Sequence, residues 1–305
     1  MNRYSPEKDI INNKINTFQD LVNAHKNEKV LSCKVLKCNE DGDIEVQIGK
    51  YTGTITSDEL TYDTSKDDKK FNSIKLVGHY IKAIIIDVRK DENGTHVMLS
   101  RKKCQKKCRQ EFINNLTPGD VIPAVVDGVK SYGLFCDIGC GIIALLPTNN
   151  ICMMPILDLK EQIKKSDKLM VVVKSIDNNT GKIVLSHKEL LGTWDDEVVN
   201  IHPGDTIIGT VINTTDFGVF ISVGQNLKGV ADIEEGFSDL NKGDKVSVYI
   251  KSINREKMKV RLTLIDVLEE AKKDRLTFKY YITDGNIKTW VYSPDVSEKE
   301  VKTEF

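Results

Sequence analysis

The sequence lacks the features of membrane proteins and of proteins that coat duplex DNA. No stretch approaches the roughly 18 consecutive apolar residues that a membrane-spanning helix needs, and the N-terminus is polar and charged. The formal net charge is only −1, so bulk electrostatic attraction to nucleic acid is excluded. We therefore expect a cytoplasmic protein without a membrane partner, in which any nucleic-acid affinity comes from local patches.

Motifs of catalysis and metal binding are also absent from the sequence. There is no glycine-rich phosphate loop followed by lysine and no nucleophile elbow. The 7 cysteines never show the C-x2-C spacing of zinc ribbons. Cys104 and Cys108 lie one helical turn apart and would be able to chelate a metal, but reduced, buried thiols are favoured. We expect no enzymatic activity, no cofactor, no metal site and no small-molecule substrate.

One phrase is present twice with identical internal spacing. Its first copy joins Pro118-Gly119-Asp120 to Tyr132-Gly133-Leu134-Phe135, and its second joins Pro203-Gly204-Asp205 to Phe217-Gly218-Val219-Phe220. A long repeat with alternating apolar residues indicates duplicated small β-domains. An exposed aromatic pair on a small barrel is a surface for stacking bases. The alternative is that these rings belong to the barrel core.

The pattern of strands and turns predicts a mainly β chain of three tandem five-stranded barrels of the oligonucleotide-binding (OB) type. An N-terminal helix is expected within 1–28, capped by Ser5. The predicted barrels span 29–103, 117–189 and 203–264, with a basic helical linker at 104–116 and a second linker at 190–202. Residues 265–305 are predicted to form a helix followed by an aromatic hairpin, in which Thr277–Ile282 pairs with Ile287–Tyr292 across a turn.

The linked elements resemble the S-one RNA-binding domain, a family named after the largest protein of the bacterial small ribosomal subunit. The second unit carries them best: Gly119-Asp120, Tyr132-Gly133-x-Phe135, Ile176-Asp177 and Lys182-Ile183-Val184-Leu185-Ser186. The whole chain resembles a short ribosomal protein of this type from Gram-positive anaerobes. The resemblance implies OB barrels that bind single-stranded RNA on one face.

The resemblance also implies which residues form that face. In the second barrel they are the stacking pair Tyr132 and Phe135, together with Pro147, which stands where histidine is usual, Asp177 and Lys182. In the third barrel they are Phe217, Phe220, Asp232 in place of histidine, Asn254 in place of aspartate, Lys259 and Arg261.

The first barrel departs from the family pattern. Asp41-Gly42-Asp43-Ile44 stands where the aromatic pair is expected, Thr56 replaces the histidine, and His96 takes the basic position. Terminal repeats without the aromatics are associated with protein contacts in this family. We therefore expect the first barrel to dock on a protein surface and to add little RNA affinity.

The linker before the second barrel is strongly basic. Its positive side chains are Arg101, Lys102, Lys103, Lys106, Lys107 and Arg109, with no acid among them. One interpretation is a solvated helix face, and the other is a ridge that contacts phosphates; Arg101, Lys102 and Lys103 are its candidates nearest the first barrel.

The sequence therefore predicts a non-catalytic protein that binds single-stranded RNA, with mRNA near the small ribosomal subunit as its ligand. An alternative is a protein-interaction scaffold in ribosome or RNA-decay assemblies, in which RNA binding is incidental.

Overall fold

The alternating apolar runs of the sequence become strands that close into three barrels. A computed structural model describes residues 3–62, 69–92, 94–156, 158–177, 179–233, 237, 239–268, 275 and 277–305. None of the helices in these ranges is both long and apolar enough to cross a membrane. The predicted mainly β architecture of OB-type barrels is confirmed.

The N-terminal helix is shorter than the sequence predicts. Helix α1 spans Phe18–Lys26, and its first turn is closed by a capping box in which the Thr17 and Asp20 side chains each accept a backbone N–H. The preceding residues are not helical, because their polar groups bind the first barrel. For example, the Ile11 N–H donates to Ser32 Oγ at 2.9 Å. The prediction of a helix from Ser5 was therefore wrong over its first half.

The first barrel consists of β1 Leu31–Cys38, β2 Ile44–Ile48, β3 Tyr51–Ile55, β4 Tyr80–Asp91 and β5 Gly94–Ser100, with helix α2 at Lys69–Leu76. It closes in the order β1-β2-β3-β5-β4. Its core is aliphatic, with Leu31, Ile44, Ile55 and Leu99 almost fully buried. Helix α3, Arg101–Glu111, follows directly and is capped by Ser100.

The second barrel consists of β6 Val121–Lys130, β7 Gly133–Gly139, β8 Ile142–Pro147, β9 Lys168–Ile176 and β10 Ile183–Ser186. Its strand order is β10-β8-β7-β6-β9. A short helix, α4, spans Leu159–Gln162 between its third and fourth strands. Helix α5, Trp194–Val198, lies in the segment that leads to the third barrel.

The third barrel consists of β11 Thr206–Thr215, β12 Gly218–Ser222, β13 Lys228–Ala231, β14 Lys245–Asn254 and β15 Lys259–Val267. It closes in the order β11-β12-β13-β15-β14. Its last strand continues past the predicted boundary at 264, so residues 265–267 are strand and not helix. The rest of the predicted helix, 269–274, lies outside the described residues.

The C-terminal segment forms a two-stranded sheet, but with a different partner from the predicted one. Strand β16, Thr289–Val291, pairs antiparallel with β17, Lys302–Glu304. Residues 277–282, the predicted partner, form no strand. Trp290 and Tyr292 are buried in the core cluster of the third barrel. These two rings therefore pack on the third barrel.

The chain forms two compact units that do not follow the barrel boundaries. The first unit contains Met1–Leu116, Pro123–Val125 and Asp137–Ile143, and the second contains Thr117–Ile122, Val126–Cys136 and Ala144–Phe305. The β7–β8 corner of the second barrel therefore belongs to the first unit.

Candidate nucleic-acid interface

The first aromatic residue of each repeated motif is exposed. Phe217 is 89% exposed and Tyr132 is 59% exposed. Each stands just before its strand, whereas the residues that enter the barrel core are Leu134 and Val219, both fully buried. The alternative that these two rings are core residues is thus excluded.

A glycine after the exposed ring lets the neighbouring strand approach. A Cβ atom on Gly133 would lie 2.5 Å from the Leu146 carbonyl oxygen, and one on Gly218 would lie 2.5 Å from the Ala231 carbonyl oxygen. Any side chain there would push the strands apart. The glycine therefore fixes the ring of Tyr132 or Phe217 at the edge of the β7–β8 or β12–β13 pair.

The second aromatic residue of each motif is half-buried. The rings of Tyr132 and Phe135 meet edge to face, with centroids 6.0 Å apart and planes at 84°. In the third barrel, the Lys228 ammonium lies 5.8 Å from the centroid of the Phe220 ring, within the range of a cation–π contact. Each pair thus offers one exposed ring and one half-buried ring.

A groove of about 370 Å³ runs beside the aromatic pair of the third barrel. The residues that line it combine two rings, four cations and apolar groups: Phe217, Phe220, Lys228, Gly229, Val230, Lys257, Met258, Lys259, Val260 and Arg261. The structure thus brings together the predicted residues Phe217, Phe220, Lys259 and Arg261.

Two cations of this groove were missed by sequence reasoning. Lys228 stands two residues before Val230 on β13, and Val230 pairs with Phe220. Strand alternation is therefore the signal that could have predicted Lys228 on the same face. Lys257 belongs to the turn between β14 and β15, and the sequence carries no signal for the direction of its side chain.

Asp232 forms an ion pair with Arg261, one of the residues that line this groove. Its Oδ1 atom lies 3.4 Å from Arg261 Nη1, and both side chains are at least half exposed. An exposed pair of this kind is worth only about 0.2–1 kcal/mol, so a phosphate can replace the carboxylate at little cost.

Asp177 and Asn254 shape the turns that precede the basic residues. Asp177 accepts hydrogen bonds from the Thr180 hydroxyl at 2.5 Å and from the Asn179 N–H at 2.9 Å. These bonds, that of the Thr180 hydroxyl first, lower the pKa of Asp177 below its usual range. Asn254 Oδ1 accepts from the Lys257 N–H at 2.7 Å. Both side chains thus stabilise the turn that leads into the last strand of their barrel.

Lys182 and Pro147, the remaining predicted residues of the second barrel, lie at the ends of two paired strands, β10 and β8. Lys182 is exposed at the start of β10, whose Val184 pairs with Leu145 of β8. Pro147 ends β8 and is half-buried, and its Cα lies 3.0 Å from the position of a Cβ on Gly133. Pro147 thus lies directly across from the Tyr132 motif.

Strand register identifies the residue of the first barrel that matches the aromatic position. Phe220 pairs with Val230, and Val230 pairs with Arg261. In the first barrel, Glu45 pairs with Thr54, and Thr54 pairs with Met98. Glu45 therefore occupies the position of Phe220, and Gly42, three residues earlier, that of Phe217. The sequence alignment, which placed the pair at Asp41 and Ile44, was wrong by one residue.

The face of the first barrel is consequently of different chemistry. A groove of about 390 Å³ is present there, lined by Glu45, Thr52, Gly53, Thr54, Thr95, His96, Val97 and Met98. Glu45 forms an ion pair of 2.9 Å with Lys37. An acid at the stacking position disfavours a phosphate backbone.

The basic residues of α3 differ in burial and in the groups that they contact. Arg101 is buried and holds Glu7 through two bonds, Nε–Oε1 at 2.7 Å and Nη2–Oε2 at 3.1 Å. It cannot reach a phosphate, so its assignment to an RNA-binding ridge was wrong. Lys103 and Lys107 both pair with Glu28, and Lys102 Nζ donates to the Asp58 carbonyl at 3.1 Å.

The cysteines of α3 face the core of the first unit. Cys104, Cys108 and Cys140 are fully buried, and the sulfur atoms of Cys104 and Cys140 lie 3.6 Å apart. Within the described ranges, no group of three or more histidine, cysteine or acidic residues is arranged to hold a metal ion.

Comparison with known proteins finds similarity to one family of proteins. Residues 115–188 match the family model of the S1 RNA binding domain. The small ribosomal subunit protein bS1 homolog of Bacillus subtilis is 24% identical over 217 residues, which cover 67% of this chain and 56% of that protein. The small ribosomal subunit protein bS1 of Staphylococcus epidermidis is 25% identical over 88% of this chain and 70% of its own length.

The bS1 protein of Staphylococcus aureus is similarly 25% identical over 84% of this chain and 67% of its own length. The chain thus spans little more than half of the Bacillus relative and about two thirds of the staphylococcal ones. The resemblance drawn from the sequence motifs is confirmed: the second barrel matches the S1 RNA binding domain, and most of the chain is similar to bS1 proteins.

Proposed function

We propose that this chain, which carries an S1 RNA binding domain, is a non-catalytic protein that binds single-stranded RNA at the small ribosomal subunit, with mRNA as its ligand. Bases stack on Tyr132 and Phe135 in the second barrel and on Phe217 and Phe220 in the third. Lys182, Lys259 and Arg261 meet phosphates. The first barrel docks on a protein surface.

The observation that carries the proposal is the groove of the third barrel. An 89% exposed phenylalanine costs solvation in the free protein and has no role in the barrel core. Four cations line the same groove, although the chain as a whole carries a net charge of −1. Rings beside cations match a polymer that alternates bases and phosphates, and each stacked base contributes about 1–3 kcal/mol.

Two aromatic faces on one compact unit explain how modest single sites yield useful affinity. The second unit contains both Tyr132 and Phe217. Once one barrel holds the RNA, the second binding event becomes intramolecular, and its effective concentration can reach the millimolar range. Contacts to 2′-hydroxyl groups would then favour RNA over DNA.

The ribosomal location rests on the relatives, which are proteins of the small ribosomal subunit by name. The acidic position Glu45 in the first barrel supports a division of labour, because that face is unsuited to phosphates. The same observation favours the second candidate function, a scaffold in ribosome or RNA-decay assemblies that binds RNA only incidentally.

A salt titration of RNA affinity separates the two functions. Each phosphate contact to a single strand contributes about −0.7 to the slope of log affinity against log salt. We expect a steep slope for the intact chain and a slope smaller in magnitude by about 1.4 for the double variant Lys257→Gln, Lys259→Gln. The matched control is Lys251→Gln, an exposed lysine of β14 outside the groove. A flat slope for the intact chain would favour the scaffold.

The identity of the RNA needs an experiment in cells. Crosslinking followed by sequencing of the bound RNA should return mRNA reads next to reads from ribosomal RNA. Reads confined to ribosomal RNA would contradict the assignment of mRNA as the ligand.

A further inference from the structure

An exposed tyrosine lies outside every barrel face described above. Tyr62 follows β3 and is 47% exposed, whereas Leu60, two residues earlier, is buried. The Tyr62 N–H donates to Gln105 Oε1 of α3 at 3.2 Å, and Gln105 is itself buried and donates to the Cys140 carbonyl. The backbone of Tyr62 is therefore tied to α3 while its ring stays open to solvent.

Two cations of α3 flank this ring. Lys106 Nζ lies 5.8 Å and Arg109 Cζ lies 5.7 Å from the ring centroid. Lys102 stands one turn before Lys106 on the same helix, so the three cations follow an i, i+4, i+7 stripe. Lys106 is exposed and Arg109 is half-buried.

The other cations of α3 are paired with acidic side chains, so this stripe carries the positive charge that the helix presents to a ligand. Arg101 holds Glu7, and Lys103 and Lys107 share Glu28. Within the described part of the chain, no carboxylate pairs with Lys106 or Arg109. An exposed ring next to two cations matches a nucleotide: the base stacks on the ring, and the adjacent phosphates meet the cations.

We propose that Tyr62, Lys106 and Arg109 form a third single-stranded RNA site, on the first unit and separate from the two barrel faces. The inference rests on the proposed function, because the ligand is the same RNA. It adds an RNA contact to a unit whose own barrel face carries Glu45 at the stacking position. A protein partner fits this patch less well, because one tyrosine ring offers too little apolar surface for a docking interface.

The test uses the full chain and a fluorescent, unstructured oligouridylate long enough to reach both units. We expect Tyr62→Ala to weaken binding about tenfold, the lower part of the range for one stacked base, and to leave the salt slope unchanged. Tyr62→Phe should keep wild-type affinity, because it keeps the ring. The double variant Lys106→Gln, Arg109→Gln should lower the magnitude of the slope by about 1.4.

A matched control is available in the same unit. The Lys50 ammonium lies 5.7 Å from the centroid of the Tyr51 ring, so Lys50→Gln removes a similar single cation–π contact, and we expect it to leave RNA affinity unchanged. Phe217→Ala is measured in parallel as a report on the third barrel. Loss of affinity with Phe217→Ala but not with Tyr62→Ala or the double variant would overturn this site and leave the proposed function intact.

The opposite result is equally distinct. Loss with the Tyr62 and α3 variants, but not with Phe217→Ala, would support this site and contradict the barrel-face assignment. If the Tyr62 variants keep RNA affinity but lose association with purified small ribosomal subunits, the patch is a protein contact and the RNA site is overturned.

Discussion

The two aromatic residues of each motif have different roles at the scale of single residues. Phe217 is almost completely exposed, whereas Phe220 is half-buried and packs beside Lys228. The sequence predicts the pair but not this division, because strand alternation alone cannot show that Phe217 stands in the turn before β12. This difference in burial predicts that replacing Phe217 affects only RNA binding, whereas replacing Phe220 also affects the stability of the barrel.

We expect Phe217→Ala to weaken single-stranded RNA binding by about 1–3 kcal/mol and to leave the melting temperature unchanged. Phe220→Ala should weaken binding and also lower the melting temperature, since it removes packing. RNA titration and thermal melting measure both effects. Ile208→Ala, which removes a 63% exposed side chain from β11 of the same barrel, is the control and should change neither. A lower melting temperature for Phe217→Ala without loss of affinity would return this ring to a structural role.

The assignment of Arg101 to the RNA-binding ridge was wrong because this residue is buried. Arg101 belongs to a basic run in sequence, but it is the residue that α3 turns toward Glu7 in the interior of the first unit. The sequence gives no sign of this, because Glu7 is far away along the chain. Tyr62 was missed for a similar reason: its cations come from α3, beyond a long connection.

At the scale of elements, short-range patterns predicted the barrels well. The three five-stranded barrels were predicted from the sequence, because alternation and turn glycines are local signals. The terminal segments were predicted less well. Ser5 as an N-cap predicted a helix in the N-terminal segment, but Asn13 and Ile11 hydrogen-bond to Ser32 instead. A tertiary contact thus replaced the helix.

The C-terminal segment packs on both the second and the third barrel. His187, fully buried after β10, contacts the rings of Phe278 and Tyr280. Its Nδ1–H donates to the Ile151 carbonyl at 2.6 Å, and its Nε2 accepts from the Tyr280 hydroxyl at 3.0 Å. The hairpin predicted from the sequence did not form, because Tyr280 serves this contact.

This arrangement requires a neutral His187. Burial lowers the pKa of His187 to about 4, below the ordinary value near 6.5, so protonation favours the unfolded state. The contribution is complete above about pH 6.5 and is lost as the pH falls toward 4, with a maximum of roughly 3 kcal/mol. We expect the unfolding free energy of the wild type to fall over this window relative to His187→Gln.

Chemical denaturation at several pH values measures this difference. His202→Gln, which removes an exposed histidine, is the control and should keep the pH dependence of the wild type. Parallel pH curves for the wild type and His187→Gln would show that His187 is not held neutral.

Trp290 is the main anchor of the C-terminal segment. It is 6% exposed within the core cluster of the third barrel, so Trp290→Ala should lower the unfolding free energy by about 3–5 kcal/mol. RNA affinity should change little at temperatures where the variant is folded, because the groove residues lie on other strands. Val291→Ala, on the same strand with its side chain 39% exposed, should be nearly neutral. An unchanged melt for Trp290→Ala would mean that the segment does not support the barrel.

At the scale of the whole molecule, the units and the barrels have different boundaries. Asp137–Ile143 belongs to the first unit, where Asp137 Oδ2 accepts from the Glu7 N–H at 2.6 Å. A fragment that starts at Thr117 would lose this support, and one that ends at Ile265 would also lose Trp290 and Tyr292. Functions are therefore better assigned with point variants of the full chain than with isolated barrels.

The near-neutral net charge of the chain constrains the proposed RNA binding as a whole. Affinity has to arise where rings and cations coincide, as in the groove of the third barrel, and the remaining surface contributes little long-range attraction. Contact with RNA should therefore be confined to a few short segments. The repeated motif predicts two such segments, because both the ring positions and the glycine are local features of the sequence.

The most direct measurement is ultraviolet crosslinking of the full chain to single-stranded RNA, with the crosslinked residues located by mass spectrometry. We expect crosslinks at Tyr132 or Phe135 and at Phe217 or Phe220, lost in the variants that replace these rings by alanine. Crosslinks that avoid both motifs and persist in those variants would contradict the claim that the second and third barrels hold RNA on their aromatic faces.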